Sequence, residues 1–108
     1  MKSEQKYDIA EEYTATPIGR YKKDSRFSGE GFKEILADFI QKEQPVCLIM
    51  DNTSGYNPSF LEEAFGGLIR DGFSKASIEK YIRYETADPS LVAEILFYID
   101  DAVNQLTK

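Results

Sequence analysis

The sequence of 108 residues contains no histidine and no tryptophan, and its only cysteine is Cys47. The absence of histidine removes the commonest general base and transition-metal ligand, and with them any Ser-His or Cys-His nucleophile pair. A single cysteine excludes an internal disulfide. Because Cys47 lies within an apolar run, we expect a buried and inert thiol. These absences argue against a hydrolase, and we expect a chain that is not an enzyme.

The chain also lacks long apolar runs and an excess of positive charge. No run approaches the roughly 20 apolar residues that cross a bilayer, and the polar, acidic N-terminus is not a secretory signal. We therefore expect a cytoplasmic protein without membrane association. The formal net charge of −6 disfavours nucleic acid as a partner. Asp24 interrupts the one basic cluster (Arg20, Lys22, Lys23 and Arg26), which we interpret as a solvated turn.

The N-terminal quarter of the chain has only weak periodicity. Residues 1–6 are polar and are predicted to be disordered, whereas residues 7–108 are expected to form one domain. Apolar residues recur between Tyr7 and Tyr21, where Pro17 and Gly19 interrupt them. This pattern predicts two short strands or a hairpin.

The remainder of the chain has clearer signals. Ser28 is a predicted helix N-cap before apolar residues spaced for a helix that ends before Pro45. Continuous apolar residues predict a strand at Val46–Met50 that is buried on both faces. A second helix is predicted at Ser59–Asp71, and alternation predicts a half-exposed strand at Ile78–Tyr84. Asp88-Pro89 is the predicted start of a last helix.

This order of elements predicts a small α/β domain, with about four strands in a mixed sheet and three helices packed on it. The turn-rich segment DNTSGYNP follows the Val46–Met50 strand and precedes the second helix. Ser59 and Glu62 match the S-x-x-E capping box, in which the serine accepts from the third backbone N–H group of the helix. Gly66 and Gly67 lie inside the same helix at a cost in helix propensity. Either the helix approaches the sheet closely there, or these glycines form a flat face for a partner.

The polar residues near this helix do not form a recognisable catalytic centre. Asp51 ends the strand but is too little for a metal site by itself, and we expect no metal and no cofactor. The adjacent Glu62 and Glu63 point to different sides of a helix and cannot act as a catalytic pair. Phe60 and Phe65 are interpreted as core residues. Tyr56 is the better candidate for an exposed aromatic contact because its loop is polar.

Three sequence elements resemble a known bacterial family, the STAS-like family of unknown function. They are Gly19-Arg20-Tyr21, the helix start Ser28-Gly29-Glu30-Gly31-Phe32, and the segment SFLEEAFGGL from Ser59 to Leu68. That family is similar to the STAS domains of anti-sigma factor antagonists and sulphate transporters. The resemblance implies a sheet with helices on one side and a regulatory role in binding a protein.

In anti-sigma factor antagonists, a serine at the start of the corresponding helix is phosphorylated by an anti-sigma factor. That partner is a histidine-kinase-like ATPase. Carried over by position, the resemblance implies Ser59 as the phospho-acceptor, with a docking surface on the loop before it and on the helix. The partner-binding residues would be Asp51, Thr53, Ser54, Tyr56, Asn57, Phe60 and Glu63. Pro58 departs from the pattern, because the antagonists usually carry Asp-Ser where Pro58-Ser59 stands.

Two alternatives stay open at this point. One is a small-ligand or nucleotide sensor, in which the N–H groups of Ser59–Leu61 and the hydroxyls of Thr53 and Ser54 would hold an anion. The other is a structural homodimer, which predicts a doubled mass in solution.

Overall fold

A computed structural model describes residues 2–107 of the chain. Within this range there are three strands and five helices. They are β1 (Gln5–Asp8), α1 (Ile9–Glu12), α2 (Gly29–Gln41), β2 (Val46–Ile49), α3 (58–70), α4 (Lys75–Tyr81), β3 (Ile82–Glu85) and α5 (Pro89–Leu106). The helix α3 consists of three consecutive segments, Pro58–Leu61, Glu62–Gly66 and Gly67–Arg70, and the middle segment is π-helical.

The three strands form one parallel sheet in the order β1-β2-β3. Tyr7, Leu48 and Tyr84 lie side by side in register, and their side chains face the hydrophobic core. The Tyr7 ring packs against Phe32 of α2 at 6.1 Å between centroids, and the Tyr84 ring packs against Phe65 of α3 at 5.9 Å. The helices therefore cover this face of the sheet.

The opposite face of the sheet is covered by charged side chains. Lys6 of β1 pairs with Glu85 of β3 at 3.7 Å, and Arg83 of β3 pairs with Glu4, just before β1, at 2.6 Å. Both ion pairs reach across β2. Cys47 lies on this face of β2 and is only 2% exposed, so the predicted burial of the thiol is confirmed.

The α/β class is confirmed, but the expected four-stranded mixed sheet with three helices is wrong. Within residues 2–107 the sheet has three strands, all parallel. No hairpin forms between Tyr7 and Tyr21, because α1 follows β1 directly and residues 13–28 form an irregular loop. Carbonyl groups of this loop accept from other segments: Ala15 from Ser54, and Pro17 from Asn57. These bonds spread the loop over the start of α3.

The N-terminal boundary also differs from the expectation of a disordered segment 1–6. Within the described residues, β1 already begins at Gln5. The Lys2 ammonium donates to the Lys42 carbonyl at 2.6 Å, and the Gln44 amide donates to the Ser3 carbonyl at 2.9 Å. Met1 lies outside the described residues.

Only the last part of the predicted strand at Ile78–Tyr84 is a strand, because β3 begins at Ile82. Residues up to Tyr81 belong to α4, which Ser74 caps by accepting from the Ser77 N–H group at 3.1 Å. Ile78 and Ile82 are both buried, and their spacing of four fits one side of a helix as well as alternate residues of a strand. The sequence pattern alone did not separate the two periods.

The other predicted boundaries are confirmed to within a residue or two. Ser28 caps α2 by accepting from the Gly31 N–H group at 3.0 Å, and α2 ends before Pro45. Gly72, with φ of 103°, follows the end of α3 in a left-handed conformation that suits glycine. Asp88 caps α5, and Pro89 is its first residue.

Candidate functional site

The carboxyl ends of the parallel strands lie at one edge of the sheet, where α/β folds commonly bind ligands. Asp51 joins two loops at this edge, the loop after β2 and the loop after β3. Its carboxylate accepts from the Thr86 hydroxyl at 2.6 Å and from the Ala87 N–H group at 2.9 Å. These two bonds hold the pKa of Asp51 below its ordinary value, and the bond from Thr86 has the larger effect. Asp51 therefore fixes the two loops relative to each other.

Between these loops and the start of α5 lies a cavity of about 300 Å³. Its polar lining includes the hydroxyl groups of Thr53, Thr86 and Ser90 and the carboxylates of Asp51, Asp88 and Glu94. The carboxylates already have partners: Asp88 accepts from the Ser90 hydroxyl at 2.6 Å, and Glu94 accepts from the Tyr98 hydroxyl at 2.8 Å. The charge of this lining disfavours an anion such as a nucleotide phosphate.

The loop after β2 is a folded structure with its own internal bonds. Asn52 and Gly55 have positive φ angles of 70° and 110°. The Thr53 hydroxyl accepts from the Gly55 N–H group at 3.2 Å. The Ser54 side chain is exposed, while its backbone N–H group donates to Ala15 at 2.8 Å. Thr53 thus lines the cavity, whereas Ser54 faces solvent outside it.

Tyr56 is half-buried rather than exposed as the polarity of its loop predicted. Its hydroxyl donates to the Met50 carbonyl at 2.7 Å, and its ring lies 6.2 Å from the ring of Phe60. Burial raises the pKa of the Tyr56 hydroxyl. The tyrosine therefore connects the loop to the core, and only part of its ring can contact a partner.

The N-cap of α3 is Asn57, and the predicted capping box of Ser59 and Glu62 does not form. The Asn57 side chain accepts from the Ser59 N–H group at 3.0 Å and from the Ser59 hydroxyl at 2.8 Å. Pro58 is the first helical residue and Ser59 the second. Asparagine caps helices as well as serine does. The observed N-cap, Asn57, therefore lies two residues before the predicted one, Ser59.

The backbone N–H groups at the start of α3 are not free for an anion. The N–H group of Ser59 donates to the Asn57 side chain, and those of Phe60 and Leu61 donate to the Asn57 carbonyl at 3.0 and 3.2 Å. Pro58 has no N–H group. The N–H groups that the ligand-sensor alternative would use at Ser59–Leu61 are therefore already bonded to Asn57.

Two residues expected in the docking surface are buried. Phe60 is 0% exposed and stacks on Phe32 at 5.8 Å between centroids, and Phe65 is equally buried, so both are core residues as interpreted. Glu63 is 7% exposed. Phe60 and Glu63 are therefore not accessible in the folded chain, and the expectation that their side chains belong to an exposed docking surface is wrong.

A cluster of ion pairs lies along α3, and its partners come from distant parts of the sequence. Glu62 accepts from Arg20 at 2.8 Å and from Arg70 at 2.7 and 3.0 Å. Arg70 first, and then Arg20, hold the pKa of Glu62 below its ordinary value. The sequence indicated Arg20 only as part of a solvated basic turn, and no local signal pointed to this pairing over 42 positions.

Glu63 is the buried member of the same cluster. Its carboxylate lies 3.3 Å from the Lys33 ammonium, 3.4 Å from Arg70 and 3.5 Å from Arg20. Lys33 also pairs with Asp71 at 3.0 Å. Burial lowers the pKa of Lys33, but its bonds to Asp71 and Glu63 outweigh burial and raise it. The cluster thus ties α2 and the 13–28 loop to α3 with balanced charge.

The glycine pair in α3 provides room for this cluster. A Cβ atom on Gly66 would lie 2.5 Å from the Glu62 carboxylate, and one on Gly67 would lie 2.7 Å from the Lys33 side chain. Both glycines therefore face ion-paired side chains. Neither the close approach to the sheet nor the flat partner face fits this arrangement.

The fold is that of a small α/β domain in which polar loop residues surround the start of a helix that follows the central strand. The chain belongs to the family described as STAS-like domain of unknown function (DUF4325), whose profile matches residues 28–91. The match includes the Ser28–Phe32 and Ser59–Leu68 elements, so the resemblance is confirmed. No curated protein and no solved structure matches the chain significantly.

Two further findings concern membrane-spanning helices and metal ligands. No helix within residues 2–107 is long and apolar enough to cross a membrane. Over the same residues, no three side chains of aspartate, glutamate, cysteine or histidine lie close enough together to hold a metal ion.

Proposed function

We propose that this domain is a non-catalytic regulatory module that binds a protein partner at the carboxyl edge of its sheet. The docking surface would consist of Thr53, Ser54, Asn57 and Ser59, with the accessible part of the Tyr56 ring. Asp51 is not included, because its carboxylate already accepts from Thr86 and Ala87. The position of Ser59 carries the proposal: its partly exposed hydroxyl is bonded to the Asn57 side chain at the surface start of a long helix. A kinase can reach such a hydroxyl without unfolding the domain.

The rigidity of this edge supports recognition. Backbone bonds from Ser54 to Ala15 and from Asn57 to Pro17 hold the loop in place. A partner that binds here pays little to order the loop, because the loop is ordered beforehand. Family membership supports a regulatory role, and we propose a histidine-kinase-like ATPase of the anti-sigma type as the partner.

Phosphorylation of Ser59 would act on the ion pairs beside it. A phosphate carries about −1.5 to −2 charges, and Glu62 lies one helical turn after Ser59 on the same side of α3. Glu62 is already neutralised by Arg20 and Arg70, so it does not simply add to the charge of the phosphate. The phosphate would instead compete with Glu62 for Arg20 and loosen the 13–28 loop from α3. The docking surface would change both its charge and its shape.

The test is incubation with a purified ATPase of this type and ATP, followed by intact-mass measurement. One added phosphate is expected on the natural chain and on a control in which the exposed Ser3, outside the docking surface, is replaced by alanine. None is expected on Ser59→Ala. Ser59→Glu is expected to weaken binding to the partner. An unmodified natural chain, together with unchanged binding by Ser59→Glu, would contradict the switch.

The cavity of about 300 Å³ supports a second candidate, the sensing of a small ligand. Its carboxylates favour a cationic or polyhydroxylated molecule over a nucleotide. A ligand at 100 times its dissociation constant should stabilise the fold by about 2.7 kcal/mol in a thermal-shift screen. Replacing Thr53 in the lining by valine should reduce that shift, whereas the exposed Ser54→Ala control should not.

A further inference from the structure

The strand β3 leaves one side of its backbone without a strand partner within residues 2–107. The Glu85 carbonyl accepts from the Met50 N–H group at 3.0 Å, so the hydrogen-bonding groups of Glu85 face β2. Successive residues of a strand direct these groups to opposite sides. The N–H and C=O groups of Tyr84 therefore point outward, away from the sheet.

We propose that two copies of this chain pair through this edge, with their β3 strands antiparallel and Tyr84 opposite Tyr84 of the second copy. The two tyrosines would exchange both N–H···O=C bonds, as residues in a hydrogen-bonded antiparallel pair do. The result is a continuous sheet of six strands across a two-fold axis. Such an interface presents the same surface patch from each copy.

Charge selects this register. Arg83 and Glu85 lie on the same face of the sheet, two residues apart. Centring the pair on Tyr84 places each arginine opposite the glutamate of the other copy, which stabilises an antiparallel pair. Centring it on Arg83 or on Glu85 would place two like charges directly opposite each other. Arg83 and Glu85 are exposed. Glu85 has only a loose contact with Lys6 at 3.7 Å, whereas Arg83 already donates to Glu4 at 2.6 and 2.8 Å and would share its guanidinium between Glu4 and the second copy.

A groove of about 290 Å³ lies along the core side of this edge, between α4, β3 and α5. The buried side chains of Ile78, Ile82 and Ile99 contribute to its lining, Leu96 is 38% exposed, and Lys75, Glu79 and Arg83 also line it. Pairing of the strands would bring the grooves of the two copies next to each other and remove the exposed part of Leu96 from water.

The other edge of the sheet is not equivalent, although Lys6-Tyr7-Asp8 of β1 resembles Arg83-Tyr84-Glu85 in charge pattern. The Gln5 N–H group donates to the Pro45 carbonyl at 2.9 Å, so by alternation the groups of Tyr7 face β2. The outward N–H group of Asp8 is already bonded to the Glu12 carboxylate at 2.7 Å. The β1 edge therefore cannot form the same pair.

The test is the mass of the full chain in solution, measured by sedimentation equilibrium across micromolar concentrations. The natural chain is expected at twice the monomer mass at the upper end. Arg83→Glu and Glu85→Arg should each weaken dimerisation about tenfold or more, because each places like charges opposite each other. The double exchange should restore the dimer. Lys22→Glu, which makes the same charge change as Arg83→Glu on another surface, should leave it intact.

Circular dichroism of each variant checks that the fold persists. Glu85→Arg is the more decisive single variant, because it removes only the loose 3.7 Å contact with Lys6, whereas Arg83→Glu removes the 2.6 Å contact with Glu4. A natural chain that stays monomeric throughout would overturn the proposal. So would a dimer that neither single substitution weakens, or one that the double exchange fails to restore. None of these results bears on the docking surface around Ser59, which lies at the carboxyl ends of the strands and not along the free side of β3.

Discussion

Replacing Gly29 by alanine is expected to destabilise the fold by forcing two helices apart. Gly29 is the first residue of α2, and its backbone lies against α3. A Cβ atom at Gly29 would lie 2.5 Å from the Phe60 carbonyl oxygen and 3.1 Å from the Phe60 Cα atom. These are backbone atoms, which cannot turn aside as the end of a flexible side chain can.

The magnitude follows from two opposing effects. Overpacking of a well-packed interior typically costs about 1–3 kcal/mol. Alanine recovers at most about 1 kcal/mol of helix propensity relative to glycine, and that value applies to a helix interior rather than to a first residue. The net loss for Gly29→Ala should therefore be about 1–2 kcal/mol. For a domain near 100 residues, each kcal/mol lowers the melting temperature by about 4–8 °C.

Urea unfolding followed by circular dichroism measures this loss directly, and Gly66→Ala is the matched control. A Cβ atom on Gly66 also meets an atom at 2.5 Å, but that atom belongs to the flexible Glu62 carboxylate. The control gains helix propensity in a helix interior, so its net change should be smaller. A Gly29→Ala chain as stable as the natural one, or more stable than the Gly66→Ala chain, would refute the close approach of the two helices.

Three other results are expected. Asn57→Ala should lower the free energy of unfolding by about 1 kcal/mol, since it removes the cap of α3. Ser59→Ala should change it by only about a few tenths of a kcal/mol. If urea unfolding shows the larger loss for Ser59→Ala, Ser59 rather than Asn57 is the cap. The pKa of Glu62 is lowered in the folded state, so its ion pairs stabilise the fold above the ordinary pKa near 4.5 and lose this effect as the pH falls through the folded value. Glu62→Gln should have a lower free energy of unfolding than the natural chain at neutral pH, and the two values should converge in acid. A difference that stays constant across this pH range would show that proton binding at Glu62 is not involved. Burial raises the pKa of the Cys47 thiol, so a thiol reagent should label it only in denaturant, and rapid labelling of the native chain would contradict the covering ion pairs.

The helices that the sequence predicted well have capping residues or prolines at their boundaries. Ser28 and Pro45 bound α2, and Asp88-Pro89 opens α5, because capping and proline chemistry act over one turn of chain. The prediction of secondary structure failed where one sequence pattern fitted both a helix and a strand. Ile78 and Ile82 fit a strand and a helix equally, and only their packing in the fold separated the two.

The site was harder to predict than the fold because its contacts cross the sequence. Glu62 fits a capping box locally, yet in the folded chain Arg20 and Arg70 hold its carboxylate. Asn57 and Ser59 both cap helices well in isolation. The fold selected Asn57, whose N–H group is also bonded to Pro17 in the distant 13–28 loop. Contacts of this kind have no signature within a local sequence window.

The three elements behind the family resemblance meet at one junction in the fold. The Gly29 N–H group donates to the Gly19 carbonyl at 2.8 Å, Arg20 pairs with Glu62, and Gly29 lies against Phe60. These contacts join the 13–28 loop, the start of α2 and the start of α3 immediately beside Ser59. The residue types in the motifs therefore have a structural reason, because glycine allows the close approach and the charged pair fixes the loop. The phosphorylation or partner binding that we propose at Ser59 would therefore act on this junction, and through it on the position of the whole loop rather than on one side chain.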